Sequence, residues 1–277
     1  MEAGFDVEGA LSRACDQWEG LGGRVKDCAD AGADPASQLR LDNQAADRAT
    51  SSTLAVTHYV RERAWNIARM LDHLHDMVFG TASGDLRLDY SVMYPLMRAA
   101  LEDSAAITWL LQPAEQQERL RRALRILRTD ALFLVQNHAR LAAAASGSPG
   151  IAAEEAERVE AHMAEEVERT NIHFAALATG IGIDPDELLR RLNTADPLRS
   201  VYGEQSVTFV SWKLLSDLSH FSMTMLRHLS SSRPELDGAQ LASVSLIFFA
   251  TEINRAVADA IVLMEIRMSA PAANTAS

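Results

Sequence analysis

Three segments place ionisable residues at helical spacing inside apolar runs. In Met93-Tyr-Pro-Leu-Met-Arg-Ala-Ala-Leu-Glu102, Arg98 and Glu102 lie one helical turn apart. Between Trp212 and His220, the residues Lys213, Asp217 and His220 share a stripe, with Ser216 one turn before His220. Glu252, Arg255 and Asp259 share another. Burying a charge is costly unless it is paired and hydrogen-bonded. These stripes must therefore line a pocket, join in an interior ion-pair network, or face water. The catalytic reading makes His220 the acid/base group, oriented by Asp217, with Arg98 binding an anion beside Glu102.

The same residues permit a metal reading. Asp72-x-x-His75 and Asp217-x-x-His220 each set two ligand types one turn apart. With Glu102 and Glu252 on other helices, they mimic the carboxylate-histidine pattern of di-iron bundles. That pattern uses Glu-x-x-His in a different helix order, so no metal or other cofactor is expected here. Neither a phosphate-binding glycine loop, a nucleophile elbow nor a zinc-finger spacing is present.

A basic run, Arg119, Arg121, Arg122, Arg125 and Arg128, sets Arg121, Arg125 and Arg128 on one helix face. Such a face can hold phosphate or RNA. It can equally be a solvated face paired with the acidic stretch Glu154 to Glu168. The chain as a whole carries a net charge of −12. That argues against generic nucleic-acid coating and against anionic membrane surfaces.

The Arg98-x-x-x-Glu102 helix and the later Leu215-Ser216-x-x-x-His220 helix resemble uncharacterised bacterial all-helical proteins of HEPN-like type. The resemblance covers two helices, about 40 residues of the 277. It implies an all-helical fold and, as an alternative function, an RNA-directed role in a stress or defence system. HEPN nucleases use an Arg-x(4–6)-His motif within one helix. Here Arg69 and His75 have that spacing, whereas Arg98 and His220 stand on different helices.

Positioning these residues falls to helices. The composition is 48% hydrophobic, 23% charged and 6% aromatic, with 14 Gly and 8 Pro. Ala and Leu dominate, which are strong helix formers, and no strand alternation stands out. Helical segments are expected over Val7–Ala29 (interrupted at Gly20, Gly22 and Gly23), Leu41–Phe79, Ser91–Leu111, Ala114–Ala145, Ala152–Ala178, a short one from Asp184 to Asn193, Ser206–Ser230 and Leu236–Met268. Segments Ser91–Leu111, Ser206–Ser230 and Leu236–Met268 are apolar on nearly every face, the mark of central helices.

The sequence thus predicts an all-α protein, a single bundle of seven to eight helices over 41–268. Residues 1–40 read as a loosely attached helical segment and 269–277 as a disordered tail. Cys15 and Cys28 are too few for a disulfide scaffold. The first residues show no signal peptide, and the longest uncharged stretch, Gly238–Thr251, is too short to span a bilayer. A cytoplasmic chain is expected. The leading functional expectation is a non-enzymatic interaction or ligand-binding bundle that forms a homo-oligomer or binds a protein partner. The alternatives are the RNA-directed role and a carboxylate-histidine metalloprotein.

Overall fold

Leu11, Cys15, Trp18, Val25 and Ala29 recur at three-, four- and seven-residue intervals, and the computed structural model buries all five completely or nearly so. The structure describes residues 7–49, 56–79, 89–146, 153–220, 231 and 238–269. Among these there are nine α-helices, one 3₁₀ turn and no strand. The helices are α1 (Val7–Ala31), α2 (Gln38–Ala49), α3 (Val56–Phe79), α4 (Tyr90–Leu111), α5 (Gln116–Ser146), α6 (Ala153–Gly180), α7 (Ala195–Tyr202), α8 (Val207–Ser219) and α9 (Gly238–Met268); the 3₁₀ turn is Pro185–Leu188. The all-α expectation holds. No helix among the described residues is long and apolar enough to cross a membrane.

The helix count exceeds seven to eight for local reasons. The expected segment Leu41–Phe79 contains two described helices, α2 ending at Ala49 and α3 starting at Val56, and residues 50–55 lie outside the described residues. A further helix, α7, was not expected at all. Its first turn nevertheless carries Asp196 and Pro197, and Gly203 ends it at φ +83°. The Asp184 start leads only to the 3₁₀ turn, capped by the Asp184 carboxylate on Asp186 N–H at 3.0 Å. Segment Ser206–Ser230 leaves helical geometry after Ser219. Residues 221–230, and the tail 270–277, lie outside the described residues.

Helix α1 runs straight through its three glycines. Gly22 is buried where α1 approaches α3: a Cβ there would lie 3.2 Å from Asp72 Oδ1 and 3.6 Å from Leu71 Cβ. The absence of a side chain permits that approach, at some cost in helix propensity.

The chain divides into two compact units instead of one bundle. The first takes residues 1–40, 57–112 and 194–277. Here α9 packs on α1, α4 and α8, and α4 also packs on α7 and α8. Helix α4 is the central element: Met93, Met97, Leu101, Ile107, Leu110 and Leu111 have no more than 1% exposure on several of its faces. Asp89 caps its start through Ser91 N–H at 3.1 Å. Tyr94 meets Phe249 of α9 edge to face at 5.8 Å.

The N-terminal segment is not loosely attached. Its buried stripe packs on α9, Asn254 Nδ2 donates to Ala14 O at 2.8 Å, and Arg24 pairs with Glu265 at 2.8 Å. Asp34 N–H also donates to Met268 O at 2.8 Å. Burying a side chain as large as Trp18 contributes a few kcal/mol, roughly 1.5–3 or more, which anchors the segment.

The second unit takes residues 41–56 and 113–193, built on the packing of α5 against α6. Its polar interior explains the basic run. Arg119 donates from Nε and NH2 to both oxygens of Asp42 at 2.7 and 2.8 Å, and from NH1 to the Pro113 and Ala114 carbonyls. Both side chains are buried, at 5% and 1% exposure. Arg128 closes the 3₁₀ turn by donating to Leu188 O at 2.8 Å and to Asn171 Oδ1 at 2.9 Å. Arg121 pairs with Glu118 and Glu187, and Arg122 with Glu118. Arg119, Arg121 and Arg128 thus take their partners from outside the acidic stretch Glu154 to Glu168 or, at Asn171, just beyond it. The partners come from elsewhere because Arg119 and Arg128 point inward.

Candidate functional site

Two polar clusters of the first unit are organised by α8. Ser206 caps this helix by accepting from Phe209 N–H at 3.1 Å. From there Thr208, Trp212 and Ser216 recur at one-turn intervals. Trp212 Nε1 donates to Glu102 Oε1 at 2.8 Å, and Arg98 Nε donates to the same oxygen at 2.8 Å. One turn earlier, Thr208 Oγ1 donates to Glu252 Oε2 at 2.6 Å, and Arg255 pairs with the same Glu252 oxygen at 2.8 Å. Helix α8 is therefore fastened to α4 through Trp212 and to α9 through Thr208.

Arg98, Glu102 and Glu252 thus meet the helix of Asp217 and His220, but as two clusters one turn apart. Arg98 is engaged with Glu102 and is not presented as an open anion site. Glu252 is buried, whereas Arg255 and Asp259, expected on the same stripe, are exposed. The one-turn spacing from 252 to 255 serves the ion pair and not a shared face.

Tyr202, at the end of α7, joins the second cluster. The Arg255 guanidinium lies 5.9 Å from its ring centroid. Burial drives its phenol well above the ordinary range, with the nearby Asp259 and Glu252 carboxylates adding to the rise. On the other side of α4, Arg63 of α3 pairs with Asp103. Burial raises the Asp103 carboxyl above its usual value, and Arg63 works in the opposite direction.

A cleft of about 590 Å³ opens beside α7 and α8, lined among others by Arg199, Glu204, Phe209, Trp212, Lys213 and Asp217. Phe209 and Trp212 lie 5.5 Å apart between ring centroids and form an aromatic wall. Arg199 is held between Asp196 at 2.9 Å and Glu204 at 2.5 Å, and its guanidinium lies 5.8 Å from the Phe209 ring. Lys213 and Asp217 stand one turn apart on the same wall. Among the described residues, no ion pair joins them.

His220 does not complete a catalytic pair with Asp217. It lies past the end of α8 with φ −97° and ψ 17°, its side chain is exposed, and its contact with Asp217 is backbone, N–H to carbonyl at 3.3 Å. Leaving helical geometry at His220 removes the side-chain alignment that the spacing implied. Asp217 and Ser216 line the cleft; His220 does not.

The metal candidates are dispersed in the same way. Among the described residues, no group of three or more His, Cys, Asp and Glu side chains is placed to hold a metal ion. Asp72 is exposed on α3, and the His75 ring packs on Phe79 at 4.8 Å. Arg69 is exposed on the same helix, 5.9 Å from the Trp65 ring centroid.

Sequence reasoning missed Arg199, Glu204 and Phe209, because the helix that brings Arg199 and Glu204 to the cleft was not foreseen. It also missed Thr208 and Asp42, whose side chains complete buried charge clusters. Comparison with protein-family models, curated proteins and solved structures finds no match for this chain.

Proposed function

We propose that this chain is a non-enzymatic helical binding protein whose α7–α8 cleft takes a small organic molecule carrying both charges. The observation that carries this reading is Lys213 and Asp217 standing one turn apart, not paired with each other, beside the Phe209–Trp212 wall. A flat apolar body fits the aromatic wall. A carboxylate or comparable anion suits Lys213, and an ammonium or other donor suits Asp217. Arg199 already has two carboxylate partners and serves to shape the wall.

The cleft's charge balance separates this class from simple anions. Lys213 and Arg199 are matched by Asp217 and Glu204, so a molecule with one negative group alone leaves Asp217 without a partner. Titration calorimetry with L-phenylalanine, phenylacetate and phenethylamine tests the point. L-Phenylalanine is expected to bind at least about tenfold more tightly than either singly charged analogue, the worth of one charge-assisted hydrogen bond. No heat with any of the three, or equal affinities, contradicts the reading.

The RNA-directed alternative draws on the basic run. Arg119, Arg121, Arg122 and Arg128 are engaged with Asp42, Glu118, Glu187, Asn171 and backbone carbonyls, which argues for a structural role instead. The protein partner this reading favours is a second copy of the chain.

A further inference from the structure

Helix α9 is apolar on two sides. Its inner side is core: Leu246, Phe249, Ile253, Val257, Ile261 and Met264 have at most 2% exposure. Its outer side carries Val244, Phe248, Val262 and Ile266 at 36%, 39%, 49% and 57% exposure. Between them stand Thr251, Arg255 and Asp259, all exposed. At 100° per residue these seven side chains fall within one narrow face, and they span about 33 Å along the axis. The face therefore carries an apolar pair at each end, Val244 with Phe248 and Val262 with Ile266, and polar and charged side chains between them.

The order along this face reads nearly the same in both directions. Phe248 and Ile266 each stand nine residues from Val257, and Arg255 and Asp259 each stand two residues from it. A two-fold axis over Val257 therefore sets each Arg255 against Asp259 of an antiparallel copy, and each Phe248 against Ile266. Val262 then meets the region of Thr251. An isologous interface requires this reciprocity, since one patch must complement itself.

We infer that the outer face of α9 is a homodimer interface, in which two copies pair antiparallel about a two-fold axis near Val257. This rests on the self-association in the reading above and not on an occupied cleft. The occupant is a second copy because the charge order is self-complementary: Arg255 and Asp259 form two equivalent pairs across the axis. Arg255 gives only NH2 to Thr208 and Glu252, and a guanidinium has five donors, so the pairing with Asp259 does not require those contacts to break. The apolar ends supply affinity and the central charges fix the register. A single helix face is narrower than the roughly 800 Å² per partner of a standard interface, so the monomer–dimer equilibrium is followed over a wide concentration range.

Sedimentation velocity of the full chain over a wide concentration range tests this, with circular dichroism and thermal unfolding as controls of folding. The unaltered chain is expected to shift from monomer to dimer. Ile266→Glu and Asp259→Arg are each expected to weaken the dimer about tenfold or more. Asp259→Arg combined with Arg255→Asp is expected to recover most of the lost affinity. Should Arg255→Asp disturb the Thr208 cluster, Ile266→Glu and Asp259→Arg alone still decide, since both side chains are exposed. A chain that stays monomeric throughout overturns the inference, and so does a dimer insensitive to both substitutions. Calorimetry of the cleft is read separately, so failure here leaves the ligand reading standing.

Discussion

Trp212 and Glu102 join α8 to α4 through one hydrogen bond of 2.8 Å, and the accepting oxygen also holds Arg98. Trp212 lines the cleft while its polar edge is held behind the wall. The Arg98–Glu102 turn, which by spacing alone suggested an anion site, positions an aromatic wall instead. Glu102→Ala removes the acceptor for both partners. The expected cost is about 1–3 kcal/mol of stability, the range for a lost hydrogen bond to a charged group in a half-buried site. Glu102→Gln keeps an acceptor and is expected to cost less. Urea unfolding monitored by tryptophan fluorescence checks the order of the two.

The Asp42–Arg119 pair supplies a second prediction. Asp42→Ala leaves a buried guanidinium without its carboxylate and is expected to cost about 3–5 kcal/mol. Adding Arg119→Met removes the stranded charge and is expected to recover most of that loss. Chemical denaturation of the single and double variants measures the recovery. If the double variant is no more stable than Asp42→Ala, the pair is not the dominant polar element of that unit.

Alkaline pH is expected to destabilise the protein. Burial, with Asp16 adding, pushes the Cys15 thiol up from 9.0 to about 12. The unfolded chain ionises this thiol from about pH 9, whereas the folded chain holds the proton until about pH 12. Unfolding therefore releases a proton in that window, and stability falls as pH rises through it, by up to about 1.4 kcal/mol per pH unit. Below pH 9 the group adds no slope. Tyr202, whose phenol burial also shifts upward, adds to the same fall above about pH 10. Urea midpoints at pH 8 and pH 10.5 measure the effect, and Cys15→Ala is expected to flatten the slope.

Two glycines of α1 offer stabilisation. Gly20 and Gly23 are exposed, and a Cβ at either would meet nothing within 4 Å. Ala at each position is expected to gain about 0.5–1 kcal/mol from helix propensity. Thermal unfolding of the double variant checks this. A lower midpoint would mean that the helix needs backbone freedom at these positions.

The fold class was legible because apolar residues recur at helical spacing through α1, α3, α4 and α9. The centrality of α4 was legible too, since apolar side chains occupy several of its faces; α9 reads as central for the same reason, yet one of its faces, with Thr251, Arg255, Asp259 and Ile266, is exposed. What periodicity could not supply was three-dimensional pairing. Asp42 and Arg119 are 77 residues apart, and Trp212 and Glu102 are 110 apart. Spacing put Asp217 and His220 on one stripe, but the helix ended between them. The cleft stayed hidden because α7 is only eight residues long, below the length at which an apolar period can be read. Its Asp196-Pro197 start and Gly203 stop were the available signal.

The claim that the α7–α8 cleft binds a doubly charged small molecule is tested most directly at Trp212. The chain has four tryptophans, at positions 18, 65, 109 and 212, so its ¹H–¹⁵N spectrum carries four indole signals, each assigned by its own Trp→Phe variant. On titration with L-phenylalanine, the Trp212 signal is expected to move saturably while those of the buried Trp18 and Trp109 stay fixed, and Lys213→Ala is expected to weaken that response. A Trp212 signal that does not move, or that moves equally in Lys213→Ala, would contradict the account.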